Sequence, residues 1–155
     1  MIGNADHAAT IAALPTLDFN DDAQFDFATG EYLLTPEGFT YLGSGSYRVA
    51  FLGPDDVVYK REEVPYMRTA HCNIGEARIY ANDKPEGFRF AACTLFGEIL
   101  AMEYVEDDGS EVQESYVAML RHMRGRYGYM DSHADKREEN WFAVNGIAVL
   151  TDYSY

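Results

Sequence analysis

The chain has 155 residues, 47% of them hydrophobic, with a formal net charge of −14 and a pI near 4.5. This length and apolar content suit one domain with a packed core. The acidic balance argues against DNA, RNA and anionic membranes as partners, because their phosphates repel such a surface, and it is compatible with a basic protein patch.

Cysteine use and the absence of targeting signals indicate a cytoplasmic protein. Cys72 and Cys93 do not have metal-ligand spacing and are expected to be reduced thiols. No basic region followed by an apolar run opens the sequence, and no apolar run approaches membrane-spanning length.

Residues 1–38 form an acidic and aromatic segment, which we treat as a strap preceding a domain at 39–155. Its Ala-rich stretch, residues 7–14, predicts a short helix, and residues 18–26 carry four aspartates among phenylalanines. Two interpretations stay open: the aromatic side chains cover the domain, or the segment is an arm that docks on a partner.

Residues 39–60 predict three strands with tight turns between them. The first, 39–42, is followed by a glycine-rich turn: Gly43, Ser44, Gly45 and Ser46. A second strand ends at the turn 53–56, and a third, 57–60, ends in Lys60. Glycine in such a turn lets backbone N–H groups come close to phosphate oxygens. The alternative is an ordinary hairpin with a surface lysine.

Downstream, the pattern predicts a helix, two strands and a second helix. Residues 61–83 are expected to be helical after Pro65, with Glu76 at helical spacing from Ile79 and Tyr80. Residues 88–94 and 98–105 predict strands, and 111–129 an amphipathic helix. Glu76 could equally be a solvated helix residue, the commoner position for a glutamate.

The last segment combines polar residues with a hairpin signal. His133 and Asp135 are followed by Asn140, and two apolar runs separated by Asn145-Gly146 lead to Asp152. Asn-Gly is typical of a type I′ hairpin. Amide and carboxylate oxygens are ligands for Mg²⁺, and a carboxylate can orient an attacking hydroxyl. The alternative is an acidic loop and hairpin at the surface.

In this order, the features of residues 39–155 resemble the motifs of protein kinases: G-x-G-x-x-G-x-V, V-A-I-K, H-R-D-x-x-x-x-N and D-F-G. The chain is also similar to aminoglycoside phosphotransferases and to short kinase-like bacteriophage proteins, which would work in the host cytoplasm. Three departures stand out. Arg48 replaces the third glycine, Ala134 the H-R-D arginine, and Ser154 the D-F-G glycine.

The resemblance implies ATP and Mg²⁺ as cofactors. Asp135 would be the catalytic base, and Asn140 and Asp152 the metal ligands. Lys60 would hold phosphates, and Glu76 would orient Lys60. His133 would pack the loop. In the D-x-H register of aminoglycoside kinases, Asp131 would be the base instead, which requires a four-residue insertion before Asn140.

The resemblance further implies how the nucleotide is gripped. The turn from Gly43 to Ser46 would cradle phosphates. Met102 would be the gatekeeper before a hinge from Glu103 to Val105, whose backbone would bind adenine. The expected fold is α+β, similar to a kinase N-lobe: a five-stranded antiparallel sheet with one helix, then a helix, a catalytic-type loop and a β-hairpin. No full C-lobe is expected.

Three functions are compatible with these features. The first is a minimal ATP-dependent phosphotransferase. The second is a pseudokinase that acts as a protein-binding module or inhibits a host or viral partner. The third is an unrelated structural or interaction protein. Aromatic residues between 116 and 155 would face the missing lobe, which predicts a protein partner or self-association.

Overall fold

The computed structural model describes residues 1–45, 47–63, 71–128 and 136–153. The chain divides into unit 1, which comprises Met1–Ile74 and Cys93–Tyr104, and unit 2, which comprises Gly75–Ala92 and Val105–Tyr155. The elements in chain order are α1 (Ala5–Ala12), β1 (Phe25–Asp26), β2 (Glu31–Tyr32), β3 (Thr40–Ser44), β4 (Arg48–Leu52), β5 (Val57–Glu62), α2 (Cys72–Asn82), β6 (Arg89–Phe90), β7 (Cys93–Phe96), β8 (Ile99–Glu103), α3 (Gln113–Tyr127), β9 (Trp141–Val144) and β10 (Ile147–Leu150).

Unit 1 is built on a five-stranded sheet with the order β3-β4-β5-β8-β7, in which every pairing is antiparallel. With α2 between β5 and β7, and α3 and a β9–β10 hairpin after β8, the predicted α+β class and element order are confirmed. Strand alternation places Val49, Phe51 and Tyr59 on one face, where each is fully buried.

The N-terminal segment packs on that buried face. Ile11 of α1 is fully buried in the same core cluster as the strand residues. Phe25 and Tyr32 lie opposite each other in the β1–β2 pair, and their rings contact Tyr41 and Phe51. Phe19 and Phe27 are more than half exposed. Burial of Ile11, Phe25 and Tyr32 is the main force that holds the segment to the sheet.

Arg61 of β5 anchors the end of α1. Its guanidinium donates to the carbonyls of Ile11 (3.0 Å), Leu14 (2.8 Å) and Pro15 (2.9 Å), and it forms an ion pair with Glu63. The last carbonyls of a helix have no partner inside the helix, so a buried cation there satisfies them and complements the helix dipole.

Unit 2 contains a three-stranded sheet with the order β6-β10-β9, in which β6 pairs with β10 in parallel. The β9–β10 turn has positive φ at Asn145 (53°) and Gly146 (80°), as a type I′ turn requires, so the predicted hairpin is confirmed. The helix expected at 111–129 is α3, which ends at Gly128 in a left-handed conformation. Gly125 lies inside α3 and does not end it.

The single strand predicted at 88–94 is wrong. Residues 89–90 form β6 in unit 2, and β7 of unit 1 begins at Cys93. Between them, the Ala91 N–H donates to the Leu150 carbonyl (2.9 Å), so the chain leaves one sheet before it enters the other. Among the residues that the structure describes, every helix is too short or too polar to cross a membrane.

Candidate functional site

Lys60 lies on the face of β5 opposite to the one that the N-terminal segment covers. Its partners across the sheet are Ala50 and Leu100, whereas its neighbour Tyr59 points into the N-terminal core. Lys60 is half-buried. The role of Lys60 in holding phosphates stays a prediction.

Asn73, in the first turn of α2, fixes the backbone at Lys60. Its side-chain amide donates to the carbonyls of Lys60 (2.9 Å) and Glu98 (2.8 Å), and the Asn73 side chain is almost fully buried. The Asn73 N–H donates to Glu62 Oε1 (2.8 Å), which satisfies one of the unpaired N–H groups at the start of the helix. This network joins α2, β5 and the β7–β8 turn.

Gly43 and Gly45 lie at the end of β3, before the chain returns as β4. Gly43 (φ +136°) follows a bulge in β3, and the Gly45 N–H donates to the Arg48 carbonyl (2.9 Å). Among the described residues, no atom lies within 4 Å of a Cβ built on Gly43 or Gly45. The Arg48 side chain, at the third-glycine position, donates to Asn73 Oδ1 (3.3 Å).

The predicted hinge contains a boundary between the two units. Glu103 is the last residue of β8 and pairs with Val57, while Val105 is the first residue of a unit 2 segment. Met102, the predicted gatekeeper, is 1% exposed, and Val105 is also buried. Tyr104 between them is exposed.

Asn140 and Asp152, the two predicted metal ligands, are neighbours in unit 2. The Asn140 carbonyl accepts the N–H of Thr151 (2.8 Å), the N–H of Asp152 (3.2 Å) and the Thr151 hydroxyl (3.0 Å). The β9–β10 hairpin creates this proximity, because its two strands return to the same end. The side chains of these two residues carry an amide oxygen and a carboxylate, which are the hard oxygen donors that Mg²⁺ prefers.

Glu76 of α2 is fully buried and bonded to the residue that follows Asp152. Its Oε1 accepts the Tyr153 N–H (3.1 Å), and the Tyr153 hydroxyl donates to the Ala91 carbonyl (3.0 Å). The interpretation of Glu76 as a solvated helix residue is therefore wrong. Its pairing with Lys60 stays a prediction.

Several predicted residues lie outside the described residues. These are Ser46, Asp131, His133 and Asp135. The choice between Asp131 and Asp135 as the base therefore stays a prediction. Over residues 1–45, 47–63, 71–128 and 136–153, no group of three or more His, Cys, Asp or Glu side chains is arranged to hold a metal ion.

Sequence reasoning missed an acidic clamp, residues 107–110, which holds the β9–β10 hairpin. Asp107 accepts two hydrogen bonds from the Arg137 guanidinium and one from the Ala143 N–H (2.8 Å). Asp108 accepts the Asn145 N–H (2.7 Å). The hydrogen bonds from Arg137 hold the pKa of Asp107 well below its ordinary value, although burial raises it. The only sequence signal was the acidic run itself, which predicts an exposed turn.

A second missed feature is a buried carboxylate beside α3. Asp83 accepts from His122 Nε2 (2.8 Å) and from the Tyr127 hydroxyl (2.6 Å), with Arg126 Nη1 3.5 Å from its other oxygen. Burial raises the pKa of Asp83, but the hydrogen bonds from His122 and Tyr127 outweigh it, and the net shift is downward. His122 is therefore a hydrogen-bonding partner as well as a packing residue.

No protein-family model matches the chain, and no curated protein matches it. Among solved structures, the chain is similar to the streptomycin–ATP ternary complex of APH(2″)-IIa, with a TM-score of 0.45 and 11% identity, over 74% of this chain and 66% of that chain. It is similar to the ADP-bound aminoglycoside phosphotransferase APH(2″)-Ib with a TM-score of 0.36 and 18% identity, over 66% of this chain. That match spans 34% of the second protein's length. The kinase-like element order rests on this chain's own strands and helices.

Proposed function

We propose that this chain is a kinase-like phosphotransferase that binds ATP together with Mg²⁺. The observation that carries the proposal is the proximity of Asn140 and Asp152, whose backbones share a hydrogen bond at the open end of the β9–β10 hairpin. In the protein kinases that the chain resembles, these two positions hold the metal ion. The buried contact from Glu76 to Tyr153 supports the same geometry, because it fixes the chain directly after Asp152.

The net charge of the chain makes the metal ion important for nucleotide binding. A protein with a net charge of −14 repels the phosphates of ATP. Mg²⁺, when bound, supplies charge neutralisation at the phosphate oxygens. In the proposed function, Asn140 and Asp152 contribute its protein oxygens, and Lys60 contributes a positive charge to the phosphates. We therefore expect ATP to bind far more weakly in the presence of EDTA.

The chemical step requires a base, a role that the proposal gives to Asp135. Its carboxylate would take the proton of the acceptor hydroxyl as the new O–P bond forms. The bond between the γ-phosphorus and the bridging oxygen breaks, and ADP leaves. Phosphoryl transfer depends mainly on positioning and charge stabilisation, so small displacements of these groups are costly.

A second function, a pseudokinase that acts as a binding module, is favoured by the glycine-rich turn. The Gly45 N–H is used within the hairpin, and the Arg48 side chain is directed to Asn73. Both contacts differ from a loop that offers its N–H groups to phosphates. In this alternative, Asp135 has no catalytic role, and ATP is either bound without turnover or not bound.

Thermal unfolding with ATP and Mg²⁺ tests nucleotide binding. At about 100 times the dissociation constant, a ligand specific for the folded state stabilises it by about 2.7 kcal/mol. For a chain of this size, that corresponds to a rise in Tm of roughly 5–10 °C. We expect the rise to be lost in EDTA, in Asp152→Asn and in Lys60→Met. Glu139→Gln is the matched control, because it removes one exposed carboxylate next to Asn140.

Transfer of radiolabelled phosphate to a panel of hydroxyl-bearing acceptors separates the two functions. A phosphotransferase should lose transfer in Asp135→Asn and keep the ATP-dependent rise in Tm. Loss of transfer in Asp131→Asn alone would assign the base to the D-x-H register. An unchanged Tm at saturating ATP and Mg²⁺ would refute nucleotide binding. The remaining function would then be a pseudokinase that acts as a binding module.

A further inference from the structure

We infer that Asp107 is a positioning residue: through Arg137 it holds the segment that carries Asn140 in the geometry that Mg²⁺-dependent nucleotide binding requires. The inference rests on the proposed function. It concerns a residue outside the kinase-like motifs, at the start of the acidic clamp. Every contact that supports it lies within unit 2.

The Asp107–Arg137 contact is a two-pronged ion pair. Arg137 Nε lies 2.8 Å from Asp107 Oδ2, and Arg137 Nη2 lies 2.9 Å from Oδ1. The Asp107 side chain is only 5% exposed. Parallel N–H···O bonds of this kind fix the guanidinium in orientation as well as in distance.

Asp107 is itself rigidly held. Its Oδ2 also accepts the Ala143 N–H of β9 (2.8 Å), and its Oδ1 accepts the Gly109 N–H (2.9 Å). The next residue, Asp108, donates its N–H to the Ala143 carbonyl (2.9 Å). The carboxylate is therefore part of the hairpin framework, and Arg137 is the group that it positions.

Arg137 transmits this position to Asn140, which follows three residues later. The Asn140 N–H donates to the Lys136 carbonyl (2.9 Å), and the Glu138 N–H donates to the Trp141 carbonyl (2.7 Å), so residues 136–141 form one bonded turn. The Arg137 guanidinium also lies over the Trp141 ring, 5.5 Å from its centroid. The hairpin brings Asn140 beside Asp152, and releasing Arg137 would loosen the turn from which Asn140 enters the hairpin.

Residues that orient metal ligands without touching the metal commonly change metal affinity by about 10–100-fold when they are replaced. Asp108 provides a control within the same clamp. It accepts the Asn145 N–H (2.7 Å) and the Ser110 N–H (2.9 Å), so it supports the opposite end of the hairpin, and Arg137 does not contact it. Each of the two aspartates accepts two backbone N–H groups, and replacing either by asparagine removes one acidic charge and one acceptor oxygen. Of the two carboxylates, Asp107 is the one that pairs with Arg137, which also donates to the Ser110 carbonyl (3.3 Å).

The test compares Asp107→Asn with Asp108→Asn in the full chain. The first readout is the free Mg²⁺ concentration that gives half of the ATP-induced rise in Tm. We expect about a 10-fold or larger increase for Asp107→Asn, and less than about a 2-fold change for Asp108→Asn, since Asp108 does not contact the Asn140 turn. The second readout needs no nucleotide: Trp141 is the single tryptophan of the chain, so its emission and acrylamide quenching report on the Arg137 turn.

The outcomes are distinct. A selective loss of Mg²⁺ affinity with altered Trp141 emission in Asp107→Asn supports the inference. Equal Mg²⁺ dependence of both variants overturns it and leaves the proposed function intact. If the unmodified chain gives no Mg²⁺-dependent response to ATP, the proposed function fails and the inference fails with it. Should Asp107→Asn not fold, Arg137→Lys, which keeps the charge and loses the fork, is judged by the same criteria.

Discussion

Replacing Arg61 tests whether the N-terminal segment is an integral part of unit 1. Arg61→Met keeps an unbranched side chain in place of the arginine stem but removes the guanidinium. It removes the guanidinium donor from the carbonyls of Ile11, Leu14 and Pro15. The Ile11 carbonyl keeps the Leu14 N–H (3.3 Å), and the Glu63 carboxylate loses this cation.

The expected loss follows from these contacts. Hydrogen bonds that involve a charged group contribute about 1.5–3 kcal/mol each, but water can reach carbonyls near the surface and compensate in part. Removing one partner of a buried ion pair costs about 3–5 kcal/mol. We therefore expect Arg61→Met to lower the free energy of unfolding by about 3–5 kcal/mol, a large share of the roughly 5–15 kcal/mol typical of a folded domain.

Urea unfolding followed by circular dichroism measures this loss directly. Arg121→Met is the matched control, because Arg121 lies on the exposed side of α3, and its replacement should change stability by less than about 0.5 kcal/mol. Arg61→Lys keeps the charge without the fork and should give an intermediate loss. A loss below about 1 kcal/mol in Arg61→Met would refute the reasoning, because it would mean that water satisfies the three carbonyls equally well.

Two further predictions concern single polar groups. Among the described residues, the Tyr32 hydroxyl is the buried side-chain atom without a hydrogen-bond partner, so Tyr32→Phe should leave stability unchanged or raise it by about 1 kcal/mol in urea unfolding; a clear loss would reveal a hidden partner. The folded-state pKa of Asp83 lies below its ordinary value of 3.8, so its stabilising contribution is complete above that pH and is lost as the pH falls through the folded pKa. Asp83→Asn should therefore reduce the loss of stability that occurs as the pH falls below about 4, and an unchanged loss would contradict the assignment.

Elements with local signals could be predicted from the sequence. The Asn145-Gly146 pair specifies its own turn, because both residues adopt positive φ at low cost. The turn then fixes which residues face each other across β9 and β10, so the proximity of Asn140 and Asp152 follows from their positions at the two ends of the hairpin. Their roles toward a metal ion remain proposals.

Features that depend on distant partners could not be predicted. Residues 88–94 are mostly apolar, and nothing local indicates that β6 pairs with β10 while β7 pairs with β8. The acidic clamp shows the same limit, because Asp107 reads as a solvated turn residue until Arg137, 30 positions later, is placed beside it. Pattern and propensity determine the elements, but a charged group's partner is a tertiary property.

The interleaving of the two units constrains how the chain can fold during synthesis. In the five-stranded sheet, β8 pairs with β5 and β7, and it is made only after the first segment of unit 2, Gly75–Ala92. The strand β6 lies in that segment, and its partner β10 is made only near the end of synthesis. Contacts between residues so far apart in sequence slow folding, and unpaired strand edges are exposed to aggregation in the meantime. Fragments cut at Ile74 or Tyr104 should therefore be unable to form both sheets, whereas the full chain can close them together.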